Sequence, residues 1–126
     1  MNIIQGISSL LIGYLFGCFQ TSYFISRLVT KKDIREMGSG NAGASNVTSE
    51  LGWKYGIFTG VADILKAYIP SQIVLYIFPI ALQQDNLIVL AGTGAVLGHI
   101  YPFFMGFRGG KGVACYIGML LAMDWQ

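Results

Sequence analysis

The sequence predicts an all-α protein, a polytopic integral membrane helix bundle with about three full spans and a partial fourth, its N-terminus outside. Three observations carry this. Hydrophobic residues make up 54% of the 126 positions and charged residues only 11%, where a soluble domain carries about a quarter charged residues; mean hydropathy is +0.59. The apolar residues gather in stretches close to the ~20 residues a helix needs to cross a ~30 Å hydrocarbon core. The basic residues gather in two short segments between those stretches. So charge-poor a surface cannot stay soluble and free of large apolar patches, which argues against a cytosolic globular enzyme. Cys18 and Cys115 both lie in apolar surroundings, unlike the cysteines of a disulfide scaffold. The 17 glycines follow no collagen-like period. A net charge of +2 is too small and too local for nucleic-acid binding. The length leaves room for one domain, residues 1–126.

The first span is expected from Ile3 to Leu28, apolar apart from small polar residues and Arg27. A cleaved signal peptide is the competing reading. Against it, no basic residue precedes the apolar run, and the run exceeds an h-region of roughly 7 to 15 residues. Residues 27–55 form a water-facing or interfacial loop: Arg27, Lys31, Lys32, Asp33, Arg35 and Glu36, then the small-residue run Gly38 to Ser49. A second span is expected from Tyr55 to Phe78, interrupted by Asp63, Lys66 and Pro70. The polar turn Gln83 to Asn86 leads to a third, Leu87 to Phe107, containing His99 and Pro102. After Arg108-Gly109-Gly110-Lys111-Gly112 comes a last apolar piece, Val113 to Met123, too short to cross a bilayer as a helix. The chain stops at Asp124-Trp125-Gln126 in mid-span, either as a re-entrant stub or, the reading preferred here, as the C-terminal truncation of something longer. Of the eight basic residues, only Lys66 falls inside a span. The other seven lie in the first loop or after the third span, so the positive-inside rule makes both segments cytoplasmic.

Two glycine-rich segments and two buried positions are candidates for chemistry. Gly38, Gly40 and Gly43 match G-x-G-x-x-G, but the charged residues before them and the membrane setting do not fit a dinucleotide fold, which needs a buried strand there. The composition still suits an anion: glycines allow close backbone approach, successive N–H groups can form a nest, and Ser39, Asn41, Ser45 and Asn46 add short donors. An ordinary flexible loop is the alternative. Arg108, Gly109, Gly110, Lys111 and Gly112 fail the P-loop pattern, since Met105 and Gly112 stand where Gly and Ser or Thr are required. A glycine-flanked lysine opening a helix remains a good phosphate site; a topology anchor is the other reading. Asp63 and Lys66 share one helix face and either mark a functional path or neutralise one another. His99 is either an acid–base group or simply hydrogen-bonded. One histidine and two separated cysteines supply no metal set.

Several strings together resemble the acyl-phosphate:glycerol-3-phosphate acyltransferases, the PlsY family. They are Ile12-Gly-Tyr-Leu-Phe-Gly17, Asp33-Ile-Arg-Glu36, Gly38-Ser-Gly-Asn-Ala-Gly-Ala-Ser-Asn46, Asp63-Ile-Leu-Lys66, Gly98-His-Ile-Tyr-Pro102 and Phe107-Arg-Gly-Gly-Lys-Gly-Val-Ala114. They appear in the family's order over nearly the whole chain. The resemblance implies a bacterial plasma-membrane enzyme that transfers a fatty acyl group from acyl phosphate to the sn-1 hydroxyl of glycerol 3-phosphate. The product is lysophosphatidate, in phospholipid biosynthesis, with no metal or cofactor. It implies Ser39, Lys111 and His99 as catalytic candidates. Gly38, Gly40, Asn41, Gly43, Asn46, Lys66, Arg108, Gly109, Gly110 and Gly112 become phosphate-binding candidates, with active-site loops cytoplasmic and the acyl tail in membrane lipid. Charge stabilisation and positioning would dominate, with the proton taken by the leaving phosphate or by His99. The chain departs from the family pattern at Ser49, where the first motif has arginine, at Ala67, where D-x-x-K-G has glycine, and in lacking the family's later helices. Those departures motivate the alternative of a catalytically silent phosphate or lipid-headgroup binder partnering another membrane subunit or paralogue. A small multidrug-type transporter shares the size and the buried charge but leaves the glycine clusters unexplained.

Overall fold

A computed structural model describes residues 1–79 and 83–124; Trp125 and Gln126, part of the expected mid-span ending, lie outside the described residues. Those residues form six α-helices and two short 3₁₀ turns, with no strand among them: α1 (Ile3–Gly17), α2 (Thr21–Thr30), α3 (Ala44–Leu51), α4 (Trp53–Ile77), α5 (Gln84–Ile100) and α6 (Val113–Asp124). The segments Ile3–Thr30 and Gln84–Met105 are long and apolar enough to cross a membrane.

α1 opens on a reciprocal cap. The Asn2 side chain accepts from the Gln5 N–H, and the Gln5 side chain accepts from the Asn2 N–H, each at 2.9 Å. Its inward face is made of Gly6, Ser9, Gly13 and Gly17, while Ile3, Leu11 and Leu15 point outward. Small residues inside and large apolar ones outside is the arrangement of a helix surrounded by lipid, where backbone proximity replaces hydrophobic burial as the packing force. Gly13 lies against Ala91 and Gly17 against Ala95, while Gly94 and Gly98 meet Leu10 and Tyr14. Residue numbers rise together along both helices, so α1 and α5 run parallel and end at the same side of the bundle.

α4 and α6 run against α5. Ala67 clusters with Ala95 and Cys115, and one or two turns on Val74 clusters with Leu87 and Ala91. Gly118 of α6 sits on Ile64 and Ala67, and Gly92 of α5 on Met119. This alternation brings the C-terminal ends of α1 and α5, both glycine-rich segments and the starts of α4 and α6 to one end.

Three expectations change. The stretch Ile3 to Leu28 is not one helix: it divides at Cys18–Gln20 into α1 and α2. The break turns the Phe19 carbonyl toward Lys66 Nζ, 2.8 Å away, and sends the Gln20 side chain to the His99 carbonyl at 3.0 Å. A regular helix would have kept that carbonyl for its own ladder. The run Gly38 to Ser49 is likewise not loop throughout, because α3 begins at Ala44. The regular helix of the third span ends earlier than expected: α5 stops at Ile100, ahead of Pro102 and a 3₁₀ turn over Phe103–Met105, as a proline forces on the residues before it.

Candidate active site

A cleft of about 290 Å³ opens at the end of the bundle where the two glycine-rich segments meet. Asn41, Gly43, Ala44 and Ser45 line it from the first segment, and Lys111, Gly112, Val113 and Ala114 from the second. Asp63 of α4, His99 of α5 and Ile117 of α6 complete the wall. Two helices, α3 and α6, start at this cleft. Gly43, the residue before α3, provides no side-chain cap, so the first N–H groups of α3 remain available at the cleft. Helix N-termini carry partial positive charge and suit anions. With the exposed Lys111 they make the cleft mouth electropositive. Val113, Ala114 and Ile117 make the α6 side apolar.

Beneath the wall lies a compact charged group. Lys66, 5% exposed, has its Nζ 2.8 Å from the Phe19 carbonyl, 2.6 Å from His99 Nδ1 and 3.1 Å from Asp63 Oδ1. The contact to Asp63 is an ion pair by distance, but its angles do not make a hydrogen bond. Asp63 and His99 reach the cleft, and Lys66 stands behind them.

The second segment is folded back on the end of α5. The Gly109 N–H donates to the Ile100 carbonyl at 2.8 Å and the Gly110 N–H to the His99 carbonyl at 3.1 Å. A β-carbon at Gly109 would run into the His99 carbonyl, and one at Gly110 into the His99 ring at Nε2. Glycine is therefore required at both for the segment to lie against His99. Gly112, with φ +84°, turns the chain into α6.

The first segment is held from within. Buried Asn46 donates through Nδ2 to the carbonyls of Met37 (2.9 Å), Asn41 (3.0 Å) and Ile34 (3.3 Å), and its Oδ1 accepts from the Ser39 N–H at 3.2 Å. The Gly40 N–H goes to the Met37 carbonyl at 2.8 Å and the Asn41 N–H to Ser39 Oγ at 3.4 Å. The N–H groups of Ser39, Gly40 and Asn41 thus point into the loop, and the free ones at the cleft are those that open α3.

Of the residues singled out from the sequence, the cleft gathers Asn41, Gly43, Ser45, His99, Lys111 and Gly112. Gly109 and Gly110 lie against its His99 wall. Gly38, Ser39 and Gly40 sit on the outer side of the loop, Asn46 and Lys66 are enclosed beneath it, and the exposed Arg108 is outside the lining. Asp63 belongs to the wall; the sequence leaves it open between a functional path and a neutralising partner of Lys66 and does not name it a site residue, its place inside an apolar span being the available signal.

Arg35 also went unrecognised as part of the site. Its guanidinium holds Asp33 through Nε (3.0 and 3.1 Å) and Nη2 (2.7 Å), while Nη1 donates to the carbonyls of Met105 (2.7 Å) and Arg108 (3.1 Å). It ties the first segment to the second. Partial burial by itself raises the Asp33 carboxyl, but the hydrogen bonds and charge of Arg35 outweigh that and hold it below its ordinary range.

A family model described as glycerol-3-phosphate acyltransferase matches residues 7–126. The chain belongs to the glycerol-3-phosphate acyltransferase family. It is 42% identical to the glycerol-3-phosphate acyltransferase of Nostoc sp. over 129 aligned residues, covering 92% of this chain and 57% of that protein. Against the protein of the same name from Macrococcus caseolyticus it is 41% identical, covering 91% of this chain and 57% of the relative. Among solved structures it resembles PlsY (YgiH), an integral membrane glycerol 3-phosphate acyltransferase. The glycerol 3-phosphate form aligns with a TM-score of 0.82 at 40% identity, over 94% of this chain and 57% of that one. The lysophosphatidic acid form gives 0.78 at 39% identity. The chain therefore spans about half the length of the curated relatives it matches. The all-α membrane fold expected from composition is the fold of this family.

Proposed function

We propose that the chain carries the acyl-transfer site of a glycerol-3-phosphate acyltransferase that uses acyl phosphate as donor and yields lysophosphatidate. The observation that carries this reading is the meeting of Lys111, the uncapped start of α3 and the apolar side of α6 at one cleft. Both substrates bring phosphate, and one brings an acyl chain. Lys111 and the first N–H groups of α3 hold phosphate oxygens, Asn41 and Ser45 orient them, and Val113 and Ile117 start the path of the acyl chain into lipid. The reaction needs little covalent help because acyl phosphate is already activated. The sn-1 hydroxyl oxygen attacks the carbonyl carbon, and the bond between that carbon and the phosphate oxygen breaks. Phosphate leaves with the electron pair and takes the hydroxyl proton. Positioning and preorganised charge are the protein's part.

The cleft end is proposed to face the cytoplasm of a bacterial plasma membrane, with the N-terminus outside. α1 with α2, α4 and α5 supply three spans and α6 part of a fourth, within one domain. Support comes from the positive-inside distribution of the basic residues and from the gathering of both glycine segments at one end.

The test supplies palmitoyl phosphate and labelled glycerol 3-phosphate to the full chain in detergent. Lysophosphatidate should form, and Lys111→Ala should abolish it. If the folded chain makes no product at high concentration yet still binds glycerol 3-phosphate, the silent-binder reading replaces this one.

A further inference from the structure

His99 lines the cleft and is gripped through Nδ1 by Lys66. Behind it, the ammonium of Lys66 is within hydrogen-bond distance of the Phe19 carbonyl and His99 Nδ1 and is paired by charge with Asp63 Oδ1 at 3.1 Å. An ammonium has three donors and no lone pair with which to accept. The 2.6 Å contact between Lys66 Nζ and His99 Nδ1 therefore has one polarity, with Lys66 donating and Nδ1 accepting. A neutral imidazole whose Nδ1 accepts carries its proton on Nε2. Nε2 lies under Gly110, at the point a β-carbon there would strike. It engages no acceptor among the described residues. Turning the ring over would set a carbon in place of Nδ1 against the Lys66 ammonium, and the His99 side chain, 4% exposed, is enclosed around it.

We propose that Lys66 is a positioning residue that locks His99 in the tautomer protonated at Nε2, so that His99 serves the cleft as a fixed hydrogen-bond donor to a phosphate oxygen. The lock concerns this chain alone; the donor role rests on the phosphate-substrate reading given above. A histidine held this way has no lone pair facing the substrate and does not act as the base. The hydroxyl proton then passes to the leaving phosphate, which the donor from His99 helps to hold.

The chain has a single histidine, so ring-¹⁵N histidine labelling of the full chain in detergent gives an unambiguous spectrum. Nδ1 should be of the unprotonated type and Nε2 of the protonated type. A protonated Nδ1 in the wild-type chain overturns the lock outright. Lys66→Met, or Asp63→Asn with Lys66→Met should the single variant not fold, should release Nδ1 toward a tautomer mixture; an unchanged spectrum there also overturns it. Titrating glycerol 3-phosphate should move the Nε2 resonance. If it binds without moving Nε2, the donor role is wrong. If it does not bind at all, the donor role and the functional reading fall together, while the substrate-free spectrum still judges the lock. In the activity assay His99→Gln, which keeps an amide donor near the Nε2 position, should stay within about tenfold of wild type, whereas His99→Ala should lose about 10²-fold or more, the loss typical of removing one preorganised donor. Equal loss in both variants rejects the donor role.

Discussion

Arg35 Nη1 donates to the Met105 carbonyl at 2.7 Å, joining the charged segment ahead of the first glycine loop to the turn that launches the second. The two halves of the cleft lie on separate connections of the helix bundle, and this contact sets their spacing. The other arm of Arg35 is fixed on Asp33, so the guanidinium is oriented before it reaches across. Arg35→Lys keeps the charge but cannot hold Asp33 and two carbonyls together. It should cost about 1.5–3 kcal/mol, the range for hydrogen bonds to a charged group, visible as a lower thermal midpoint in detergent, and should slow acyl transfer. Unchanged stability and rate in the variant would rule out the bridge.

The same pair gives a pH dependence. The depressed Asp33 carboxyl binds its proton more weakly in the folded chain than in the unfolded one. Its stabilisation is therefore complete above the ordinary value of 3.8 and is lost as pH falls through the lower folded value. Thermal midpoints measured from neutral pH down to this range should fall, and Asp33→Asn should flatten that part of the curve. An unaltered curve in Asp33→Asn would assign the acid sensitivity to another group.

Asn46 separates a loop staple from a ligand. Its amide serves three carbonyls, and a carboxylate in its place would face them with no proton to give. Asn46→Asp should therefore destabilise at least as much as Asn46→Ala, by about 1–3 kcal/mol for stranded buried acceptors, and open residues 37–43 to protease. Were Asn46 a direct phosphate ligand, both variants would raise KM and leave the thermal midpoint in place.

How much of this could be read from the sequence depends on how local each cause is. The apolar spans, the two glycine segments and their shared side follow from composition and charge placement. The division at Cys18–Gln20 does not, because its cause is an ammonium 47 positions away at Lys66. α3 was hidden because Ala44-Ser-Asn-Val-Thr-Ser49 has too few apolar residues to show a helical period. Arg35 looked like one more positive-inside charge, since nothing in the sequence says that its partners are backbone carbonyls near position 105. Asn46 is a phosphate-binding candidate by type and place in the motif, yet its type alone does not tell a ligand from a staple.

Gly110 offers a test of cleft geometry that leaves every functional group present. A β-carbon there would overlap His99 Nε2 and stand 2.7 Å from the Ala42 carbonyl. Neither neighbour is the loose end of a flexible side chain, so the Lys111 segment must move away. Gly110→Ala should cut acyl transfer by about 10²-fold, the cost of a displacement near 1 Å, with helix content by circular dichroism unchanged. Wild-type turnover would show that the segment does not have to lie on His99.

The remaining prediction is a gain. Ser49 occupies the position where the family pattern has arginine, and its hydroxyl turns back to the Ser45 carbonyl at 3.2 Å. Ser45 lines the cleft, and residues four apart share a helix face, so a longer cationic side chain at 49 can extend toward the mouth. Exposed charges interact with only about 0.2–1 kcal/mol, and Glu50 next in sequence offsets part of that. Ser49→Arg should lower KM for glycerol 3-phosphate by about two- to fivefold, with the effect shrinking as salt is raised from low to physiological strength. Ser49→Gln, long but neutral, should leave KM where it is. If glutamine matches arginine, length rather than charge is responsible; if neither changes KM, position 49 lies outside the reach of the phosphate and the cation at the mouth is Lys111 alone.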